Sequence, residues 1–97
     1  MSLKSNEIKL GAAIKELLEA YKLSGRLNET RVIGAWEGIV GSMIAKHTTN
    51  IYIKRRKLYV VLDSPAIRNE LSYARTKIVQ MLNDSAGEQV IDEIVLL

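Results

Sequence analysis

The sequence has 97 residues, 47% of them hydrophobic, with a net charge of +3 and a pI near 9.3. That length suits a single domain spanning residues 1–97, and with no Phe its core falls to Leu, Ile, Val and the lone Trp36. The absence of cysteine excludes disulfides, thiolate metal sites and Cys nucleophiles, and no apolar run approaches the ~18 residues of a membrane span, so a cytoplasmic protein is expected.

A first helix is predicted from about Asn6 to Leu23. Leu10, Ile14, Leu17, Leu18 and Tyr21 recur at helical spacing and form its candidate buried face, with Lys9, Lys15, Glu16, Glu19 and Lys22 elsewhere. Ser24-Gly25 is its expected stop. A second helix is expected to open at Asn28 as N-cap, with Leu27 and Val32 as a hydrophobic staple. Val32, Trp36, Ile39, Val40 and Met43 continue its apolar face. Gly34, Gly38 and Gly41 each weaken it by on the order of 1 kcal/mol relative to Ala. They either permit close backbone packing or break the helix near Gly41, with a restart to about Lys46.

Two strands follow, Thr48–Lys54 and Lys57–Leu62, rich in β-branched and aromatic residues and joined at Arg55-Arg56. Ser64 as cap and Pro65 in the first turn mark a third helix, with Ile67, Leu71, Ala74, Ile78 and Leu82 as its buried stripe. Asn83 to Gly87 ends it, and Val90–Leu96 reads as a last strand. The expected class is α+β in the order α-α-β-β-α-β, with helices packed on one face of a small three-stranded sheet.

The hairpin carries the sharpest functional signal. With an even turn, Ile53 pairs with Leu58 and Tyr52 with Tyr59, so alternation puts Ile51, Ile53, Leu58, Val60 and Leu62 on the core face. Tyr52, Lys54, Lys57 and Tyr59 share the other face, with Arg55 and Arg56 at the tip. Cations neutralise phosphates and aromatic rings stack on unpaired bases, each stacked base contributing ~1–3 kcal/mol. The same residues also read as an ordinary cross-strand aromatic pair beside a solvated, aggregation-blocking turn. Arg68 and Arg75, seven apart on the third helix, either extend a basic surface or form its solvent side.

No catalytic constellation is present, and no cofactor or small-molecule substrate is expected. His47 is the only histidine and has no partner at a ligand spacing, so it reads as a helix terminator rather than a metal ligand. Phosphate-binding glycine loops are missing. Asp63 and Ser64 read as capping residues, and Asp92 and Glu93 fall on opposite faces of a strand. Gly38-Ile39-Val40-Gly41 matches the GxxG spacing of the KH loop that clamps single-stranded nucleic acid, although its central residues are apolar and suit helix packing better.

Trp36-Glu37-Gly38-Ile39-Val40-Gly41, followed by Ile44-Ala45-Lys46-His47-Thr48, resembles the signature of the DciA family. Lys57-Leu58-Tyr59-Val60, Ser64-Pro65-Ala66 with Glu70-Leu71, and Leu82-Asn83 with Gly87 extend the resemblance over about residues 8–96. It implies a KH-like domain that binds the replicative DNA helicase and assists its loading on single-stranded DNA, with no ATPase of its own. Pro65 stands where the family often has an aromatic residue. Many members also carry a basic tail beyond this domain, so DNA affinity that depends on such a tail is not expected of residues 1–97.

The expected partners are therefore the helicase and single-stranded DNA, with Tyr52, Lys54, Arg55, Arg56, Lys57, Tyr59, Arg68 and Arg75 as the nucleic-acid surface. An RNA-binding KH-like module and a protein–protein adaptor are the alternatives.

Overall fold

The computed structural model describes residues 3–97, with side chains from residue 9 onward. Its elements are α1 (Leu3–Val40), α2 (Ser42–Lys46), β1 (Thr48–Lys54), β2 (Lys57–Leu62), α3 (Pro65–Ser72), α4 (Arg75–Ala86) and β3 (Glu93–Leu96). The fold is α+β as expected. The α-α-β-β-α-β order holds with the third helix in two pieces.

The sheet order is β1-β2-β3, with β1 and β2 antiparallel and β2 and β3 parallel. Both hairpin strands have the predicted bounds, and the predicted pairs Ile53↔Leu58 and Tyr52↔Tyr59 form. Leu58, Val60 and Leu62 are buried, and Ile51 and Ile53 pack at the edge of the same core. That core is completed by Val32 and Trp36 of α1, Ile67 and Leu71 of α3, and Ile78, Leu82 and Ala86 of α4. Val90, Ile91 and Ile94 close it from the C-terminal segment. The helices thus cover one face of the sheet.

The first two predicted helices are merged and divided elsewhere. Helix α1 runs through Ser24-Gly25 without interruption for 38 residues. Gly25 stays in the helix, and exposed neighbours there leave nothing to force a turn. Asn28 is no cap: it is 6% exposed, donates to Glu88 Oε1 at 2.5 Å and accepts from Arg31 Nη1 at 3.2 Å. The staple is also absent, since Leu27 is 51% exposed. The break falls at Gly41, whose φ of 93° lies where side chains are disfavoured. No atom approaches the space a Cβ would occupy on Gly34, Gly38 or Gly41, so close packing is not their role.

The larger departure is the N-terminal half of α1. Leu10, Ile14, Leu17, Leu18 and Tyr21, expected in the core, are 49–79% exposed. The helix projects past the body, giving principal extents of 68 × 20 × 19 Å.

Two further corrections concern the second half. The third helix breaks at Tyr73-Ala74, where the amides of Tyr73 and Ala74 bond three residues back, to Glu70 O and Leu71 O, tightening and ending the turn. The last strand is only Glu93–Leu96. Val90 and Ile91 are buried but held by a side chain instead of a sheet partner. Asn83 Oδ1 accepts from the amides of Val90 and Ile91 at 2.9 and 3.0 Å, and Asn83 Nδ2 donates to Ile91 O at 2.9 Å. Gly87, at φ 81°, caps α4 and turns the chain back toward Asn83.

Orphaned buried amides cost about 1–3 kcal/mol each. Asn83→Ala, which orphans two, is therefore expected to destabilise the protein by roughly 2–4 kcal/mol, read as a lower urea midpoint with an unchanged slope.

Candidate nucleic-acid interface

Two neighbouring rows of side chains cross the open face of the sheet. The register places Tyr52, Tyr59 and Val95 in one row and Lys54, Lys57 and Glu93 in the next, nearer the hairpin tip. The tyrosine rings stack with centroids 5.0 Å apart and planes 8° from parallel. Stacked on each other, with Val95 beyond Tyr59, they offer mainly the outer face of Tyr52, which is 37% exposed. The cross-strand aromatic pair is thus formed, with one ring face open to solvent.

The turn residues Arg55 and Arg56 both have positive φ, 51° and 63°. This is the left-handed pattern of a two-residue type I′ hairpin, for which Asn-Gly is the relaxed choice. L-residues with side chains resist it by roughly 1–2 kcal/mol each. Arg56 has a structural reason to be there. Its guanidinium grips Asp92 through two bonds of 3.0 and 3.1 Å and donates to Gln89 O at 3.0 Å. Its carbonyl also accepts from the Asp92 amide at 2.8 Å. Lys57 pairs with Glu93 at 2.9 Å.

The predicted strip of four cations is thereby divided. Arg56 and Lys57 are partnered by carboxylates, whereas Lys54 and Arg55 are exposed and form no hydrogen bond or ion pair among the described residues. Sequence reasoning placed Asp92 and Glu93 on opposite faces of a strand and missed that both reach the hairpin. Asp92 lies before β3 begins, which alternation cannot reveal.

Arg68 and Arg75 stand on different helices, because the chain breaks between them, yet both line one shallow cleft with Pro65, Asn69, Ser72 and Leu96. Arg68 is half-buried: it donates to Leu62 O at 3.0 Å, and its Nε is buried with no hydrogen-bond partner among the described residues. Arg75 is exposed at the start of α4, two residues after Tyr73, which is 83% exposed.

The other singled-out residues are structural. His47 ends α2 and its Nδ1 meets Asp63 Oδ1 at 2.7 Å, while Ser64 Oγ caps α3 by accepting from Ile67 N at 3.3 Å. Trp36 is core, 3% exposed. Its Nε1 donates to Thr48 Oγ1 at 3.1 Å, and Thr48 Oγ1 donates to Ile44 O at 2.9 Å. Among the described residues no group of three or more His, Asp or Glu could hold a metal, and no helix is long and apolar enough to cross a membrane.

Arg55→Asn relaxes one left-handed residue without breaking the Asp92 contact, so it is expected to raise stability by roughly 0.5–1 kcal/mol, measured as a higher melting temperature. Hydrogen bonding from Arg56 holds the Asp92 carboxyl below its ordinary 3.8. A carboxylate with a depressed folded pKa adds stability that is present above 3.8 and is lost as the pH falls through the lower folded value. In Arg56→Gln, Asp92 is expected to titrate nearer its ordinary value, read from its carboxyl carbon shift by NMR.

Against known proteins, a family model described as "Dna[CI] antecedent, DciA" matches residues 9–96. A UPF0232 protein of Corynebacterium glutamicum is 35% identical over 63 residues, covering 65% of this chain and 35% of the relative. A UPF0232 protein in the recF-gyrB intergenic region of Mycolicibacterium smegmatis is 27% identical over 88 residues, covering 91% of this chain and 45% of the relative. A Mycobacterium tuberculosis UPF0232 protein is 28% identical over 82 residues, covering 84% and 44%. The chain thus spans less than half the length of these relatives. No solved structure matches it.

Proposed function

Because the chain belongs to the DciA family, a family linked to replicative helicase loading, we propose that it is a non-enzymatic, cytoplasmic replication factor that binds the replicative helicase and assists its loading on single-stranded DNA. In this reading residues 1–97 act as one domain. The open sheet face contacts DNA, with Tyr52 as the stacking surface and Lys54 and Arg55 as the principal phosphate contacts. Arg56 and Lys57 shape the tip while paired with Asp92 and Glu93, and Tyr59 backs the stack. Arg68 and Arg75 offer a second, smaller basic contact near the exposed Tyr73.

The observation that carries the DNA contact is Arg55. It sits in a left-handed turn position better suited to Asn or Gly, and among the described residues it has no partner to explain its charge. A locally disfavoured cation beside a free lysine and an exposed aromatic ring supports a role outside the fold.

The test is fluorescence anisotropy with a labelled single-stranded oligonucleotide at several salt concentrations, alongside binding to the purified helicase of the same organism. Lys54→Ala with Arg55→Ala is expected to weaken DNA binding and reduce the salt slope by about 1.4, at roughly 0.7 per phosphate contact on single strands. Unchanged affinity and slope in a folded double variant would remove this surface from the account. Saturable helicase binding is expected with and without DNA. Tighter binding to RNA of the same sequence, with no helicase affinity, would favour an RNA-binding module instead.

A further inference from the structure

The exposed half of α1 continues the face that α1 buries. Eighteen residues are about five full helical turns, so Leu10, Ile14 and Leu18 sit at the angular positions of Asn28, Val32 and Trp36. The last three are 6%, 0% and 3% exposed, whereas the first three are 63%, 49% and 55% exposed. Leu17 and Tyr21, at 70% and 79%, widen the same stripe. Close packing against the body ends at Asn28, beyond which only a cleft edged by Arg56, Glu88 and Gln89 reaches Gly25 and Tyr21, while the apolar face goes on.

We propose that this stripe pairs, antiparallel, with the same stripe of a second copy of the chain. The spacing of Leu10, Ile14, Leu17 and Tyr21 alternates four and three, the pattern of a helix seam that packs on a like helix. Gly11 borders the stripe beside Leu18, and the space next to it is open, so a partner helix can approach closely there. Lys9, Lys15, Glu16 and Glu19 are turned away from it, which leaves an apolar surface that complements itself rather than a charged ligand.

The fold also selects the orientation. In a parallel pair both bodies would lie at the same end and on the same helix face, because Val32 and Trp36 already hold each body there. The two bodies would then compete for one space. An antiparallel pair puts the bodies at opposite ends and sets Leu10 against Tyr21 of the other copy and Ile14 against Leu17. Each large side chain removes on the order of 100 Å² from water. Five from each copy bury on the order of 1,000 Å² in total, the lower bound for a specific association, so the dimer is expected to form reversibly with concentration. This inference does not rest on the helicase or DNA reading.

Sedimentation equilibrium of the 97-residue chain over a wide concentration range tests it. The expected mass rises from 10.9 kDa toward twice that value. Ile14→Glu with Leu17→Glu is expected to weaken association at least tenfold while leaving the circular dichroism melt of the body in place, since neither side chain reaches the core. The chain has no cysteine, so Leu10→Cys and Tyr21→Cys variants report orientation cleanly. Mixed and oxidised, they are expected to cross-link to each other in preference to themselves. A mass that stays at 10.9 kDa at every concentration, or a dimer indifferent to the double substitution, would overturn the proposal. So would cross-linking of each cysteine only to its own kind. A monomer that co-sediments with anionic phospholipid vesicles would assign the stripe to lipid and overturn it equally.

Discussion

The closure of α1 and α4 over one face of three strands is the constraint from which the remaining features follow. Leu58, Val60 and Leu62 of the central strand share one buried cluster with Val32 and Trp36 of α1 and Ile78 and Leu82 of α4. A sheet of this width can shelter only a few helical turns, so α1 is covered from Asn28 onward and bare before it. The opposite sheet face is left without helices, which is why the tyrosine stack and the free cations are presented to solvent.

Buried polar bonds turn that closure into a single arrangement. Asn83 satisfies the backbone of Val90 and Ile91 where no strand partner exists, and Trp36 reaches Thr48, which in turn ties down the end of α2. Buried groups left unpaired would cost more than the bonds contribute, so these contacts exclude alternative packings more than they deepen the core. They also give physical meaning to the sequence pieces that resemble the DciA family. Trp36 with Thr48, and Asn83 with Gly87, are each the two ends of one structural device. The resemblance is thus largely a resemblance of architecture, and Tyr52, Lys54 and Arg55 lie outside it.

The hairpin tip combines two opposing demands. Arg56 is spent on the fold, bridging the turn to the segment before β3 through the Asp92 carboxylate and Gln89 O. Arg55 does the reverse, occupying a disfavoured backbone region with its charge uncommitted. A turn optimised for stability alone would carry Asn or Gly at these left-handed positions.

Local chemistry determined much of this protein directly. The hairpin's ends and register follow from β-branched and aromatic alternation, the α3 start from Ser64 and Pro65, and the α4 stop from Gly87, because each depends on neighbours a few residues away. The α+β class and the Trp36 core position were legible for the same reason. Tertiary structure decided the rest. Helical periodicity identifies an apolar face but cannot say whether a body is long enough to cover it, so Leu10 to Tyr21 were misplaced in the core. Asn28 carries the chemistry of a cap, and only the arrival of Glu88 from sixty residues away makes it a buried mid-helix residue. The pairing of Arg56 with Asp92 and Lys57 with Glu93 likewise depends on β3 docking parallel to β2, a long-range event that leaves no periodic trace in the sequence.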